Sequence, residues 1–136
     1  MKSNAIHITE TDMERLRQLT EGRLLSHSVQ LDLIARLEEE LDRAEVIDDD
    51  EAPQGVITMN TRILLRDLAT GRETVHRLVY PAQCHGQPDA LSVLAPLGIA
   101  VLGYRVGDVV DAKTPGGVRQ IEVLALLEDK PTPKAA

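Results

Sequence analysis

Few side chains in this sequence are placed for chemistry, and the adjacent pair Cys84 and His85 is the first candidate. A thiol beside an imidazole could serve as a nucleophile with its base, or as two metal ligands. Neighbouring side chains on extended backbone point in opposite directions, and the sequence offers no third partner for the pair. The pattern therefore indicates a thiol and an imidazole on a loop, and we predict no catalytic residue and no metal ligand here.

The run of acids Asp48–Glu51 is the second candidate. Carboxylates are the ligands of hard cations such as Mg²⁺, but consecutive side chains do not converge on one point. Four like charges repel one another, and Pro53 and Gly55 interrupt regular structure. The run therefore predicts a solvated acidic linker over residues 48–55.

Phosphate-binding loops are absent from the sequence, which contains neither Gly-x-x-x-x-Gly-Lys nor Gly-x-Gly-x-x-Gly. We accordingly expect no nucleotide and no other cofactor.

Charge is distributed unevenly along the chain, whose net charge is −7. Residues 1–51 hold fourteen acids and six bases (−8), and residues 52–136 hold eight acids and nine bases (+1). Nucleic-acid binding needs a basic surface and often stacking aromatics, whereas the aromatic residues here are only Tyr80 and Tyr104. We expect no direct sequence-specific contact with nucleic acid, and a protein partner with a basic surface instead.

Length and composition are those of one domain, or of one domain with a small appendage, built around an aliphatic core. A single cysteine cannot form an intramolecular disulfide. The sequence shows no apolar run long enough to span a membrane, and MKSNAIHITETD at its start lacks a signal-peptide core. We expect a cytoplasmic, monomeric protein without a membrane partner.

Helical periodicity is confined to the first third of the chain. One amphipathic helix is predicted over residues 9–21, capped by Thr9 or Thr11. A second is predicted over residues 28–46, with an apolar seam of coiled-coil spacing at Ile34, Leu37, Leu41 and Ala44. The two helices could form an antiparallel helical hairpin over residues 1–47, or could pack flat on a sheet.

From residue 56 onward the apolar pattern alternates, which predicts strands. The candidates are Val56–Met59, Ile63–Leu68, Thr74–Tyr80, Leu91–Leu94, Val109–Lys113 and Arg119–Leu127. The predicted fold class is therefore α+β, with a short helical hairpin followed by a mainly antiparallel β domain over residues 56–128 and a flexible tail over residues 129–136.

The most informative segment is Leu91–Gly117. Pro96 suits the first turn of a short helix and Gly103 its end. The order of residues resembles the C-terminal domain of the bacterial Gre transcript-cleavage factors, at Ser92, Ala95-Pro96, Ala100–Gly103, Gly107-Asp108 and Pro115–Gly117. Over the whole chain, length included, it is more similar to the regulators of nucleoside diphosphate kinase, a Gre-like family. The resemblance implies a coiled coil followed by an FKBP-like domain with one short helix.

The predicted hairpin tip departs from the Gre pattern. In Gre factors, acidic residues at the tip of a long coiled coil help to hold a catalytic Mg²⁺ in RNA polymerase. The tip here would carry Arg23, Leu24, Leu25 and His27 and no acid. We therefore expect no part in transcript cleavage, and the predicted helices are also much shorter than those of Gre factors.

A polymerase-docking loop is implied by the same resemblance, because in Gre factors the segment before the short helix contacts the rim of the secondary channel. By position this segment is Leu94, Ala95 and Pro96. An exposed Leu-Ala-Pro surface would dock by burial of apolar area. Alternatively, Leu94 only closes a strand and Pro96 only starts the helix.

Taken together, the resemblance implies a non-enzymatic transcription regulator that binds bacterial RNA polymerase at the secondary channel rim. It would compete with Gre factors without stimulating cleavage, and its link to nucleoside diphosphate kinase levels comes from the resemblance alone. One alternative is an interaction module for a non-polymerase protein. A peptidyl-prolyl isomerase is disfavoured, because two tyrosines are too few to build an aromatic pocket.

Overall fold

The computed structural model describes residues 6–22, 28–49, 55–84 and 86–127. The first third of the chain forms two short strands and two helices, in the order β1 (His7–Thr9), α1 (Glu10–Gly22), α2 (Ser28–Arg43) and β2 (Glu45–Ile47). The remainder forms β3 (Arg62–Asp67), β4 (Glu73–Val79), a 3₁₀ turn (Pro81–Gln83), β5 (Ala90–Ser92), α3 (Pro96–Val101), β6 (Val109–Thr114) and β7 (Gly117–Leu127).

Strands β3 to β7 form one curled sheet in the order β5-β4-β3-β7-β6. All neighbours are antiparallel except β4 and β5, which run parallel and bring Leu78 beside Leu91. The pairing of β3 with β7 shifts register between Leu64 and Leu65, where Leu124 is the extra residue that bends β7. The predicted α+β class is thus confirmed, and α3 packs against β6 at the edge of the sheet.

A second, two-stranded sheet was not predicted from the sequence. Strands β1 and β2 pair in parallel, with Ile8 opposite Val46. The prediction that the second helix continues to residue 46 is therefore wrong, since the helix ends at Arg43. The Glu45 N–H donates to the Ile6 carbonyl at 2.9 Å, and the β-branched Val46 and Ile47 fit a strand better than a helix.

The predicted strand Val56–Met59 is also wrong. Val56 makes only an isolated antiparallel bridge with Arg105, and Ile57 exchanges hydrogen bonds with the turn after α3. The apolar residues of this segment are nevertheless buried, Ile57 fully and Val56 and Met59 almost fully.

Helix α1 begins at a capping threonine. The Thr9 hydroxyl accepts a hydrogen bond from the Asp12 N–H at 3.2 Å, which satisfies one of the free donors of the first turn. Further along, Arg17 pairs with Asp42 of α2 at 3.0 Å. Helices α1 and α2 are therefore held side by side by a polar contact as well as by their apolar edges.

The helices and the curled sheet share one hydrophobic core. Leu16 of α1 and Leu37 of α2 are fully buried, in the same cluster as Ile63 and Val123 of the sheet. The pair of helices thus contacts the β domain as well as itself, as the flat-packed alternative expects. None of the helices in the described part of the chain has the length and apolarity needed to cross a membrane.

Candidate interaction surface

The segment that carries the predicted docking loop is held by backbone geometry at Ser92. The Ser92 hydroxyl accepts a hydrogen bond from the Leu94 N–H, and the Ser92 carbonyl accepts one from the Ala95 N–H, both at 2.9 Å. Pro96 then occupies the first turn of α3, where its lack of an N–H leaves no bond unmade. The loop is therefore a tight turn into a helix.

Gly98 brings α3 against this turn. A Cβ placed on residue 98 would lie 2.1 Å from the carbonyl oxygen of Ser92, which no side chain could tolerate. The glycine thereby sets how closely α3 approaches the end of β5, and with it the position of Pro96. This contact accounts for a glycine inside a six-residue helix.

The structure divides the three predicted docking residues. Leu94 is 5% exposed and belongs to the hydrophobic core, so the expectation that its side chain lies on the surface is wrong. Its neighbours Ala95 and Pro96 are half-buried and remain accessible. Leu94 closes the end of the β5 segment, and only Ala95 and Pro96 present side-chain atoms to solvent.

A shallow groove of about 80 Å³ lies between α2 and α3, and Pro96 is at its edge. The groove is closed on one side by Arg36, which donates to the Lys113 carbonyl on the edge strand β6 at 3.1 Å. Ala100 and the exposed carboxylate of Glu39 also line it. The accessible part of the predicted docking loop thus continues into an open, partly acidic surface.

Tyr104 also lines this groove, and Arg43 of α2 contacts it. The Arg43 guanidinium donates to the Tyr104 hydroxyl at 2.5 Å, and its central carbon lies 5.8 Å from the ring centroid. One of the two tyrosines is therefore used to fasten the end of α2 to the turn after α3. Sequence reasoning assigned it no role, since the contact joins residues 61 positions apart.

Other predicted residues are not brought together. Arg23, Leu24, Leu25 and His27 of the predicted hairpin tip lie outside the described residues, as does His85. Its neighbour Cys84 is half-buried. Within the described residues, no group of three or more His, Cys, Asp or Glu side chains is arranged to hold a metal ion.

Two acids, one from the acidic run at residues 48–51 and one from α1, join the parts of the fold. Asp49 accepts two hydrogen bonds from Thr11, one from the backbone N–H at 3.1 Å and one from the hydroxyl. These bonds hold the pKa of Asp49 below its usual value. Asp49 stays exposed, as a solvated linker expects, and its hydrogen bonds tie this segment to the first turn of α1.

Asp12 is the second of these acids. Its carboxylate accepts a hydrogen bond from the Met59 N–H at 3.1 Å, which links α1 to the start of the β domain. Burial raises the pKa of Asp12, and this effect outweighs the hydrogen bonds that lower it. Nearby, burial raises the pKa of the Tyr80 hydroxyl to about 12, and the charge of Asp12 adds to the shift.

Family comparisons match both segments of the chain. Residues 52–128 match the family model described as "Transcription elongation factor, GreA/GreB, C-term". Residues 4–47 match the model described as "Rnk N-terminus". The two matches meet close to the acidic run at Asp48–Glu51.

Individual relatives agree with these matches. The chain is 41% identical over 127 residues to the regulator of nucleoside diphosphate kinase of Escherichia coli K12, covering 93% of this chain and 91% of that protein. It is 38% identical over 94 residues to the transcription elongation factor GreA of a Thermotoga species (strain RQ2), covering 69% of this chain but 60% of that one.

A solved structure agrees as well. The GreA/GreB transcription elongation factor from Nitrosomonas europaea superposes with a TM-score of 0.72 at 35% identity, covering 93% of this chain and all of that one. The curled five-stranded sheet with its helices is thus similar to the fold of a Gre protein. The chain belongs to the GreA/GreB family of transcription elongation factors, and its N-terminal segment places it among the regulators of nucleoside diphosphate kinase.

Proposed function

We propose that this chain is a non-enzymatic transcription regulator that binds bacterial RNA polymerase at the rim of the secondary channel. Support comes first from its relatives, which are named as a regulator and as transcription elongation factors. In this proposal the C-terminal domain, FKBP-like by resemblance, makes the contact, and helices α1 and α2 act as a short coiled coil beside it. The protein would act in the cytoplasm as a monomer, and any effect on nucleoside diphosphate kinase would be indirect.

The observation that carries the proposal is the position of Pro96. It lies at the segment that Gre factors use for docking, it is accessible, and it opens onto the groove between α2 and α3. The Gly98 contact and the Ser92 hydrogen bonds hold it in place, so little conformational entropy would be lost on binding. Ala95 and Pro96 would bury apolar area against the partner, while Leu94 supports them from the core.

Charge around this groove favours a basic partner surface. Glu39 and Asp111 are exposed, and neither forms an ion pair with a lysine or arginine in the described residues. Arg36 and Lys113 also line the groove, but Arg36 pairs with Asp32 at 3.1 Å. Complementary charge would mainly raise the association rate and select the partner.

Absence of cleavage activity is the second part of the proposal. Helix α1 has 13 residues and α2 has 16, so α2 spans about 24 Å at a rise of ~1.5 Å per residue. Residues 23–27, which connect them, include no aspartate or glutamate in the sequence. Cleavage would need carboxylates delivered to the catalytic Mg²⁺. The protein would instead occupy the rim and compete with longer factors.

The test is binding of the full chain to bacterial core RNA polymerase, with a Gre factor as competitor. Pro96→Asp is the informative variant, because aspartate is accepted at a helix N-terminus and the fold should survive. Pro115→Asp is the matched control, since Pro115 lies in the exposed turn between β6 and β7. We expect the Gre factor to displace the wild type, P96D to lose at least tenfold in affinity, and P115D to bind normally.

Four results would contradict all or part of this proposal. Equal binding by P96D and wild type would move the contact away from α3. Binding that a Gre factor does not displace would place it away from the channel rim. No binding at micromolar concentrations would favour the interaction module for another protein. Stimulated cleavage of a stalled transcript by the purified chain would overturn the non-catalytic part alone.

A further inference from the structure

We propose that a cavity at one end of the curled sheet binds a small organic anion whose charge is carried on an apolar body. The cavity, here called the hairpin groove, lies between the β3–β4 turn and the β6–β7 turn and encloses about 280 Å³. It is separate from the groove beside Pro96, and the proposal does not depend on polymerase binding.

The floor of the hairpin groove is apolar. It is formed by side chains from three strands and from α3: Leu65, Leu97, Ala112 and Ile121. Leu97 lies one residue after Pro96, and its side chain faces the sheet and not the docking surface. At about 280 Å³ the groove is close to the lower bound for small-molecule sites, roughly 300 Å³. It therefore suits the body of a small ligand.

The rim of the hairpin groove carries net positive charge. Asp67 pairs with Arg119, whose Nε donates to the carboxylate at 2.6 Å, and it also accepts the Ala69 N–H at 2.9 Å. Arg72 lines the groove too, and it has no carboxylate partner among the residues that the structure describes. Two guanidinium groups thus face one carboxylate, which leaves one positive charge for a ligand anion.

The walls of the groove are held in place by hydrogen bonds of their own. In the β3–β4 turn the Gly71 N–H donates to the Asp67 carbonyl at 2.7 Å, and the Arg72 N–H donates to the Thr70 hydroxyl at 3.1 Å. In the β6–β7 turn the Thr114 hydroxyl donates to the Gly117 carbonyl at 2.7 Å. A groove that is already shaped loses less entropy when it binds a ligand.

Floor and rim together define the ligand chemistry. A neutral apolar molecule would leave Arg72 unpaired, and a strongly polar molecule would leave the Leu65–Leu97 floor without apolar contact. A carboxylate or phosphate attached to an aliphatic or aromatic body satisfies both. Its anionic group would lie against Arg72, within reach of the hydroxyls of Thr70 and Thr74 that line the same rim.

The test is a two-dimensional amide NMR titration of the full chain with 4-phenylbutyrate, and with 4-phenylbutanamide as a neutral analogue of the same shape. We expect the carboxylate to bind with a millimolar dissociation constant, as suits about twelve heavy atoms. The shifted amides should lie in the two turns and at Leu97. The amide analogue should bind roughly five- to tenfold more weakly.

Arg72→Gln is the decisive variant. Arg72 is exposed, so the fold should be retained, and the spectrum itself reports this. We expect the affinity of R72Q for the carboxylate to fall to that of the neutral amide. Arg105→Gln removes the same charge from another exposed position and should leave the affinity unchanged. Equal affinity for the two ligands, unaltered binding by R72Q, shifts outside the groove or no binding at all would each overturn the proposal.

Discussion

Gly103 and Ile6 are so close that a Cβ added to residue 103 would lie 2.8 Å from the Cβ of Ile6. The His7 N–H also donates to the Gly103 carbonyl at 3.1 Å. The N-terminal strand therefore lies directly on the turn that ends α3. Gly103 has a φ of +82°, so it acts as the left-handed cap of α3. Because it has no Cβ, it also leaves room for the N-terminal segment.

Replacing Gly103 with alanine should destabilise the fold more than the backbone conformation alone requires. Gly71 is the matched control, because its φ is +77° and nothing lies within 4 Å of its added Cβ. We expect Gly71→Ala to cost about 1 kcal/mol and Gly103→Ala at least about 1–2 kcal/mol more, as measured by urea unfolding of the full chain. Equal losses for the two variants would mean that the Ile6 contact carries no strain.

Asp12 should matter as a hydrogen-bond acceptor and not as a charge. Asp12→Ala leaves the Met59 N–H without its partner and should lower the free energy of unfolding by about 1–2 kcal/mol. Asp12→Asn keeps an acceptor oxygen and removes the negative charge. Burial disfavours that charge, as the raised pKa of the Asp12 carboxyl shows. We therefore expect D12N to be as stable as the wild type, or more so, near pH 7 in the same urea measurement.

The stability difference between D12N and the wild type should depend on pH, in the direction that a raised pKa requires. A carboxyl group whose pKa is raised in the folded state destabilises the fold as pH rises through the interval between its unfolded and folded pKa values. The advantage of D12N over the wild type should therefore be present near pH 7 and shrink as the pH falls through that interval. An advantage that grew on acidification would contradict the burial effect.

Much of the β domain was predictable because its signals are local. Pro96 and Gly103 bound α3 from within a few residues, and the alternation in β3 and β7 needs only one buried face. The pairing of β1 with β2 was missed for the opposite reason. Those strands are three residues each, and they form only because Ile6 and Glu45 meet across the length of two helices.

At the candidate surface, too, local features were predictable and features that depend on tertiary packing were not. The sequence indicated the turn into α3 at Ala95 and Pro96, since a proline at the start of a helix is a local signal. It could not reveal that Leu94 is buried, because that depends on how α3 packs onto the core. The Asp49–Thr11 contact spans 38 residues. The sequence of an acidic run does not indicate which of its acids accepts a hydrogen bond from a distant residue.

Leu37 should be one of the most costly core positions. It is fully buried in the cluster that the helices share with the sheet, so Leu37→Ala should lower the free energy of unfolding by about 2–5 kcal/mol. Leu68 is 42% exposed, and Leu68→Ala should change the free energy of unfolding by less than about 0.5 kcal/mol. Urea unfolding followed by circular dichroism separates the two variants. A separate helical transition in L37A, with the sheet unaffected, would contradict the shared core.

Asp67 gives the last prediction, which concerns acid stability. Hydrogen bonding from Arg119 holds the pKa of Asp67 below its usual value of 3.8, and the Ala69 N–H acts in the same direction. A carboxyl group with a lowered pKa stabilises the fold above its unfolded pKa, and this contribution is lost as the pH falls through the folded value. The stability difference between wild type and Asp67→Asn should therefore be full near neutral pH and should vanish in strong acid. Asp111→Asn, an exposed change on β6, is the control. Urea unfolding midpoints of the two proteins, measured across the acid range, test this prediction. If the wild type were more stable than D67N by the same amount at every pH, the role of Asp67 in the β3–β4 turn would be steric and not electrostatic.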